Sequence, residues 1–219
     1  MRPRLLGPAL AVELDSPYRA LSSAVLGGGL SSLRTWLNLQ VPPDYARTDP
    51  AQHLHAEAAG LEAPVVGMLT AVDVRRHTHA SAGGTEAIAT VGIRHALAAA
   101  GQRPRALPPV GTINLLVVVG EPLADAALVG ALQTAVEAKA QALAAAGVRA
   151  ANAPAFATGT ATDAICLACP PGEGLPFAGP ATRIGGEIAR AVHRAVLEGA
   201  LIDLAHQRER RTAWSSSNA

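Results

Sequence analysis

Apolar and polar positions alternate through much of the first forty residues. Residues 9–15 and 20–26 each read as a strand, and the run Leu33-Arg34-Thr35-Trp36-Leu37-Asn38-Leu39 predicts a third. Gly27-Gly28-Gly29 joins the last two, a turn open to backbone conformations that other residues avoid. Pro42-Pro43 closes the third strand. Asp49 reads as the cap of a short helix with Pro50 at its first position, continuing to about Ala59. Pro64 opens a β stretch from Val65 to Val74 that extends toward Thr78. Ser81-Ala82-Gly83-Gly84 then turns into Ala87 to Ile93, an antiparallel hairpin.

The Pro- and Gly-rich stretch Gly101 to Gly111 is a surface loop or lid. Beyond it the periodicity changes. Ile113 to Val119 is apolar on both faces, which suits a central strand covered on both sides. Ala124 to Ala146 is rich in alanine and leucine and stops at Gly147, so it predicts a helix. With only Asp125, Glu137 and Lys139 charged, that helix is expected to be covered on most sides, by the sheet and by a second subunit. Ala161 to Cys169 makes another strand, and Ile184 to Gln207 a last helix ending in Arg208, Arg210 and Arg211. The fold class is α+β or mixed α/β: a mixed central sheet including an antiparallel hairpin, covered by about three helices. Residues 1–207 form one domain, and 208–219 read as a polar, frayed tail.

Composition narrows the function. Of 219 residues 49% are hydrophobic, enough for a sizeable core. Eighteen basic against seventeen acidic residues leave a net charge of +1, and only 3% are aromatic. That gives no footprint for a nucleic-acid backbone and no stacking platform for single strands. No apolar run is long enough to span a bilayer, and the N-terminus lacks the pattern of a signal peptide. A cytoplasmic protein without membrane insertion is expected. Cys166 and Cys169 are three apart on a predicted strand, so their thiols point to opposite faces and read as buried and inert.

Polar residues sit where a plain core would not put them. In Gly111-Thr112-Ile113-Asn114, Asn114 enters an apolar strand, and a buried amide needs partners. Thr134, Glu137 and Gln141 share one helix face, with Lys139 roughly 200° around from Glu137. Glu137 taken alone reads as solvent-facing. The densest group is Thr158-Gly159-Thr160-Ala161-Thr162-Asp163. It can present hydroxyls and N–H groups to a carbonyl, with Asp163 as base or orienter, or it can satisfy a local turn. Gly179 through Glu187 leads into the last helix, where Thr182 reads as a cap and Gly185-Gly186 as a close-packing pair. His77 and His79 alternate on one strand face and His95 ends the strand across the hairpin. Three imidazoles there suit zinc, yet Arg75 and Arg76 adjoin them and no acidic support is evident.

In this order the segments resemble the adenosylcobinamide amidohydrolase (CbiZ) family. The matching pieces are Ser22 through Gly29, Asn38 and Val41, Gly111-Thr112-Ile113-Asn114, Glu137-Ala138-Lys139, Thr158 through Asp163, and Gly179 through Glu187, spanning about residues 10–200. The resemblance implies hydrolysis of the amide joining aminopropanol to the corrin side chain, giving adenosylcobyric acid for cobalamin synthesis. The cobalt corrinoid is then a substrate, and no cofactor is required. Gly92-Ile93-Arg94-His95-Ala96 departs from the family's Gly-x-x-Asn-Ala, and Val136 stands where the family tends to have Thr.

The acidic groups in these segments lead us to expect general-base amide hydrolysis. Asp163 or Glu137 activates a water or the hydroxyl of Thr160 or Thr162, Asn114 and backbone N–H groups near Gly159 hold the oxyanion, and Lys139 protonates the leaving amine. Thr112, Asn38, Gly28, Thr158, Gly159, Thr182, Gly185, Glu187 and His95 are the expected substrate contacts. Two rivals stand beside this reading: a non-catalytic corrinoid-binding protein, and a metal-dependent hydrolase of another amide using His77, His79 and His95. The chain acts alone or as a homo-oligomer.

Overall fold

A computed structural model describes residues 1–103 and 111–217. Strand β1 (Pro3–Leu6) turns through Gly7-Pro8 into β2 (Ala9–Ser22), which is followed by β3 (Gly29–Gln40), α1 (Pro50–Glu57) and β4 (Val65–Thr70). Then come β5 (Thr78–Ala82), β6 (Thr85–Val91), β7 (Ile113–Val119), α2 (Asp125–Ala145), β8 (Ala164–Cys169) and α3 (Arg183–Ser217). The sheet order is β4-β3-β2-β8-β7-β6-β5, with β1 also on β2. The pairs β3–β4 and β7–β8 are parallel and their crossovers carry α1 and α2; the other pairs are antiparallel. This is the mixed sheet with helices that the alternation of patterns predicts.

Four local expectations are corrected. The two strands expected at 9–15 and 20–26 are one, β2, with its register broken between Glu13 and Tyr18 and its end at Ser22. The stretch expected to continue from Val65 toward Thr78 is cut after Thr70. Asp73 accepts the Arg75 N–H at 3.1 Å and caps a 3-10 turn at Val74–Arg76, so β4 and β5 end on opposite edges of the sheet. Asp49 does not cap α1 with its side chain but pairs with Arg47. The last helix continues beyond Gln207 to Ser217.

The sheet folds on itself because β2 gives one edge to two partners. Its first half pairs with β1 and its last residues, Arg19–Ser22, pair with β8. Leu10, Val12, Trp36 and Met68 from one wing therefore pack in a single core with Ile88, Leu116, Val118 and Cys166 from the other. The outer face of the β6–β7–β8 wing meets the alanine stripe of α2 (Ala131, Ala135, Ala138, Ala142) and the apolar stripe of α3. The outer face of the β2–β3 wing packs on Leu54 of α1. The free face of α2, with Val129, Gln133, Val136 and Gln141, is exposed in the single chain.

Residues 23–28, expected to be strand and turn, cross from β8 to the outer edge of β4. Ser23 N donates to Ile165 O at 3.0 Å, and Leu26 exchanges two backbone hydrogen bonds with Gly67 at 3.2 and 2.9 Å. A side chain at Gly28 would stand 2.3 Å from Ala24 O, so only glycine makes this crossing. No described helix is long and apolar enough to cross a membrane.

Both thiols lie in the core, as their spacing predicts. Burial raises Cys166 to about 12 against a small opposing effect of the Ser22 hydroxyl, and burial also raises Cys169. In the native protein at pH 8 both should resist iodoacetamide for hours and react within minutes in denaturant. Fast native alkylation counted by mass spectrometry would contradict this packing.

Candidate active site

Along β7 side chains alternate between the two faces of the sheet. Asn114, Leu116 and Val118 point into the folded-over interior, while Ile113, Leu115 and Val117 point toward the helices. Asn38 of β3, Thr90 of β6 and Asn114 of β7 are fully buried. β6 and β7 are paired neighbours, with Thr90 opposite Asn114, and because the wings fold together β3, separated from β7 by two strands in the sheet, shares a chain of hydrogen bonds with them. Asn38 Nδ2 donates to Thr90 Oγ1 at 2.9 Å; Asn114 Nδ2 donates to Asn38 Oδ1 at 2.7 Å and to Leu69 O of β4 at 2.9 Å. Asn114 Oδ1 has no hydrogen-bond partner among the described residues. An unpaired buried acceptor costs about 1–3 kcal/mol.

Two residues further out along the chain, on this same face, the Thr112 and Thr162 hydroxyls meet at 2.7 Å, and Thr162 Oγ1 donates to Gly111 O at 3.1 Å. Thr112 is buried and Thr162 exposed, so the pair lies at the boundary between the buried interior and the surface.

Asp163, next to Thr162 in the chain, faces the opposite side, toward α2. Its carboxylate accepts the Ile113 N–H at 3.0 Å and the Thr160 N–H at 3.1 and 3.2 Å, together with the Thr160 hydroxyl and the Lys139 ammonium. The Lys139 and Asp163 side chains are 8% and 11% exposed, so this is a buried ion pair. It leaves no room at Gly159, where a side chain would sit 2.3 Å from Asp163 Oδ2 and 2.7 Å from Lys139 Nζ. The backbone donors expected to hold an oxyanion are already taken up: the N–H groups of Thr158 and Gly159 go to Leu97 O at 2.8 and 3.3 Å, and that of Thr160 to Asp163. The Thr158 hydroxyl accepts the Ala99 N–H at 2.9 Å.

Of the predicted residues, Asn38, Thr112, Asn114, Lys139, Thr160, Thr162 and Asp163 thus gather at the leading ends of β7 and β8. Gly159 and Thr158 brace the same loop. His95 is half-buried in the loop after β6, whose backbone abuts Gly111. Gly28 lies in the crossing that leaves the same end of β8. Glu137 is exposed, two residues from the buried Lys139 on the same helix, and is not part of the gathering.

Thr182, Gly185 and Glu187 sit at the other end of the sheet. Glu187 accepts the Gly84 N–H at 3.0 Å, and Gly84 precedes β6 beside the far end of β7. That is six residues along the strands from Asn114, roughly 20 Å at about 3.3 Å each. Glu187 pins the β5–β6 turn, Thr182 caps α3 through Gly185 N at 3.0 Å, and a side chain at Gly185 would lie 2.0 Å from Gly179 O. The three histidines do not converge. His77 precedes β5 with Nδ1 2.9 Å from Val74 O, and His79 pairs with Glu86 at 2.8 Å. Among the described residues no group of three or more His, Cys, Asp or Glu is placed to hold a metal.

Three contributors escape the sequence reading. Thr90 and Leu69 O anchor the amide chain, and no local pattern signals them. Asp203 of α3 is buried and accepts the Ile93 N–H at 3.0 Å and Gln207 Nε2 at 2.8 Å, with Arg76 3.6 Å away. It thereby holds the loop that carries His95. Its signal was present: an acid continuing the stripe Val192, Ala195, Val196, Gly199.

A model described as adenosylcobinamide amidohydrolase matches residues 5–208. The chain belongs to the adenosylcobinamide amidohydrolase family. It is 34% identical over 199 residues to the adenosylcobinamide amidohydrolase of Halobacterium salinarum, covering 84% of this chain and 81% of that protein. It is 29% identical over 198 residues to the one from Methanosarcina mazei, covering 85% and 92%. As a member of the adenosylcobinamide amidohydrolase family the chain is a hydrolase acting on an amide.

Replacing Asp163 by Asn leaves Lys139 buried without its counter-charge and should cost about 3–5 kcal/mol in denaturant unfolding. The double change Asp163→Asn with Lys139→Met should cost clearly less than the sum of the single changes; strict additivity would mean that the two groups do not interact. Burial opposes ionisation of Glu187, but the hydrogen bonds from Arg183 and the Gly84 N–H outweigh it and hold its carboxyl below the usual range. A group with a lowered folded pKa stabilises above its unfolded pKa and loses that contribution as pH falls through the folded value. Glu187→Gln should therefore lower Tm at pH 6 and narrow its gap to the parent protein as pH falls below about 4.5. A gap constant down to pH 3 would remove this contribution.

Proposed function

We propose that the chain hydrolyses the amide joining aminopropanol to the corrin side chain of adenosylcobinamide, releasing adenosylcobyric acid as a cytoplasmic salvage step toward cobalamin. The family supplies the substrate class. The observation that carries the site is the Thr112–Thr162 hydroxyl pair at the edge of an amide-lined interior, held by a loop that Asp163 braces from behind.

In this reading the scissile carbonyl lies at the Thr162 hydroxyl, which attacks directly or positions the attacking water. Asp163 is a positioning residue: four donors converge on its carboxylate, which fixes the β7–β8 mouth and Thr160. Glu137 is exposed and apart, and Lys139 is bound to Asp163. Of the predicted residues at this end, His95 is the titratable side chain without a hydrogen-bond or ionic partner among the described residues, and we assign it the proton transfer. The corrinoid enters as substrate, and the reaction runs without added cofactor.

Purified protein incubated with adenosylcobinamide should yield adenosylcobyric acid and free aminopropanol, with the rate unchanged by EDTA. Thr162→Val and His95→Ala should each lower kcat at least about a hundredfold. Tight binding without product would make the chain a corrinoid carrier, and a chelator-sensitive rate would restore the metal-dependent alternative. Normal turnover in His95→Ala would remove it from proton transfer.

A further inference from the structure

The amide chain carries an inference that rests on this reading and sharpens it. Asn114 is expected from sequence to donate to an oxyanion, but both of its N–H hydrogens are already engaged, one by Asn38 Oδ1 at 2.7 Å and one by Leu69 O at 2.9 Å. The assignment of its amide is fixed on both sides. Leu69 O accepts only, so the Asn114 nitrogen must face it. Asn38 uses its own nitrogen toward Thr90 Oγ1 at 2.9 Å, which turns its oxygen to Asn114. Rotating either amide sets like groups against each other. What remains of Asn114 is Oδ1, an acceptor, wholly buried and without a partner among the described residues.

We propose that Asn114 Oδ1 accepts the N–H of the scissile amide and makes the site selective for a bond that carries one. Asn114 is two residues from Thr112 on the same strand face, about 7 Å along β7. A ligand whose carbonyl reaches the Thr112–Thr162 pair has its amide nitrogen within a short side-chain reach of Asn114. Three strands hold the acceptor through Asn38, Thr90 and Leu69, so it is oriented before a ligand arrives. A buried acceptor with no donor rejects a ligand that lacks the matching hydrogen, because the group then stays unpaired in the complex. Esters, which put a second oxygen at this position, are the ligands disfavoured.

The test crosses two substrates with two proteins: adenosylcobinamide, and its ester analogue with oxygen in place of the scissile N–H. They are compared by kcat/KM in the parent protein and in Asn114→Leu, which keeps the branched shape and removes the acceptor together with the two donors to Asn38 and Leu69. Asn114→Leu should lose about 10- to 100-fold on the amide and less than about threefold on the ester. An equal loss on both substrates, including loss of fold, means that the residue only supports structure, and the proposal falls. A second measurement needs only the parent protein: its ester-to-amide rate ratio should be at least about tenfold smaller than the ratio for hydroxide in solution. Equal ratios would overturn the proposal even with no variant in hand. If adenosylcobinamide is not hydrolysed at all but the ester is, the substrate reading fails, which is a distinct result.

Discussion

One edge of β2 has to serve two partners, and the remaining architecture answers to that division. With β1 on its first half and β8 on its second, the strand cannot lie in a flat sheet; it bends where the register breaks between Glu13 and Tyr18. The bend brings the two wings face to face, so that Trp36 and Met68 meet Leu116 and Val118 across a shared core. It also brings β3 and β4 over the start of β7. Asn38 and Asn114 come from strands with two others between them in the sheet, and only the fold-over places them in hydrogen-bond contact.

The two faces of the β7–β8 edge divide the work. The helix side carries charge, the Lys139–Asp163 pair, sealed by α2 and by the loop at Gly159. Among the described residues the amide chain and the hydroxyl pair on the interior side are built from neutral groups: two amides, three threonine hydroxyls and a carbonyl. A charge pair under a helix is poor material for gaining stability, since desolvation offsets most of its attraction, but it fixes geometry well. Neutral amides are the matching choice where a neutral amide group has to displace nothing ionic. The near-neutral composition of the whole chain fits this division without requiring it.

Much of the fold was legible in the sequence. The runs that became β7 and α2 were clear because a doubly buried strand and an alanine-rich helix leave local signatures of hydrophobicity and period. The polar loop before β8 was legible as a concentration of Thr and Asp in an apolar context. What each residue does was not legible, because that depends on which face it takes and which strand comes opposite. Glu137 and Lys139 were both expected at the site, one as base and one as proton donor, and burial separates them. Glu187 and Thr182 matched the family segment by segment, yet six strand residues separate them from Asn114. The interruption at Asp73 was hidden for a related reason: a 3-10 turn of three residues, capped by one carboxylate, leaves almost no periodicity to detect.

Thr162 and Asp163 are adjacent in the chain and serve opposite sides of the sheet. That makes the number of residues in the turn before β8 a structural variable in its own right. Inserting one residue between Asp163 and Ala164 would exchange the two: the carboxylate would swing into the amide-lined interior and the hydroxyl toward Lys139. Both halves of the arrangement would fail together although every side chain type was still present. Point changes in this turn are graded in their effect, whereas a change of length at its junction with β8 is all or nothing, so that junction is constrained from both faces of the sheet at once.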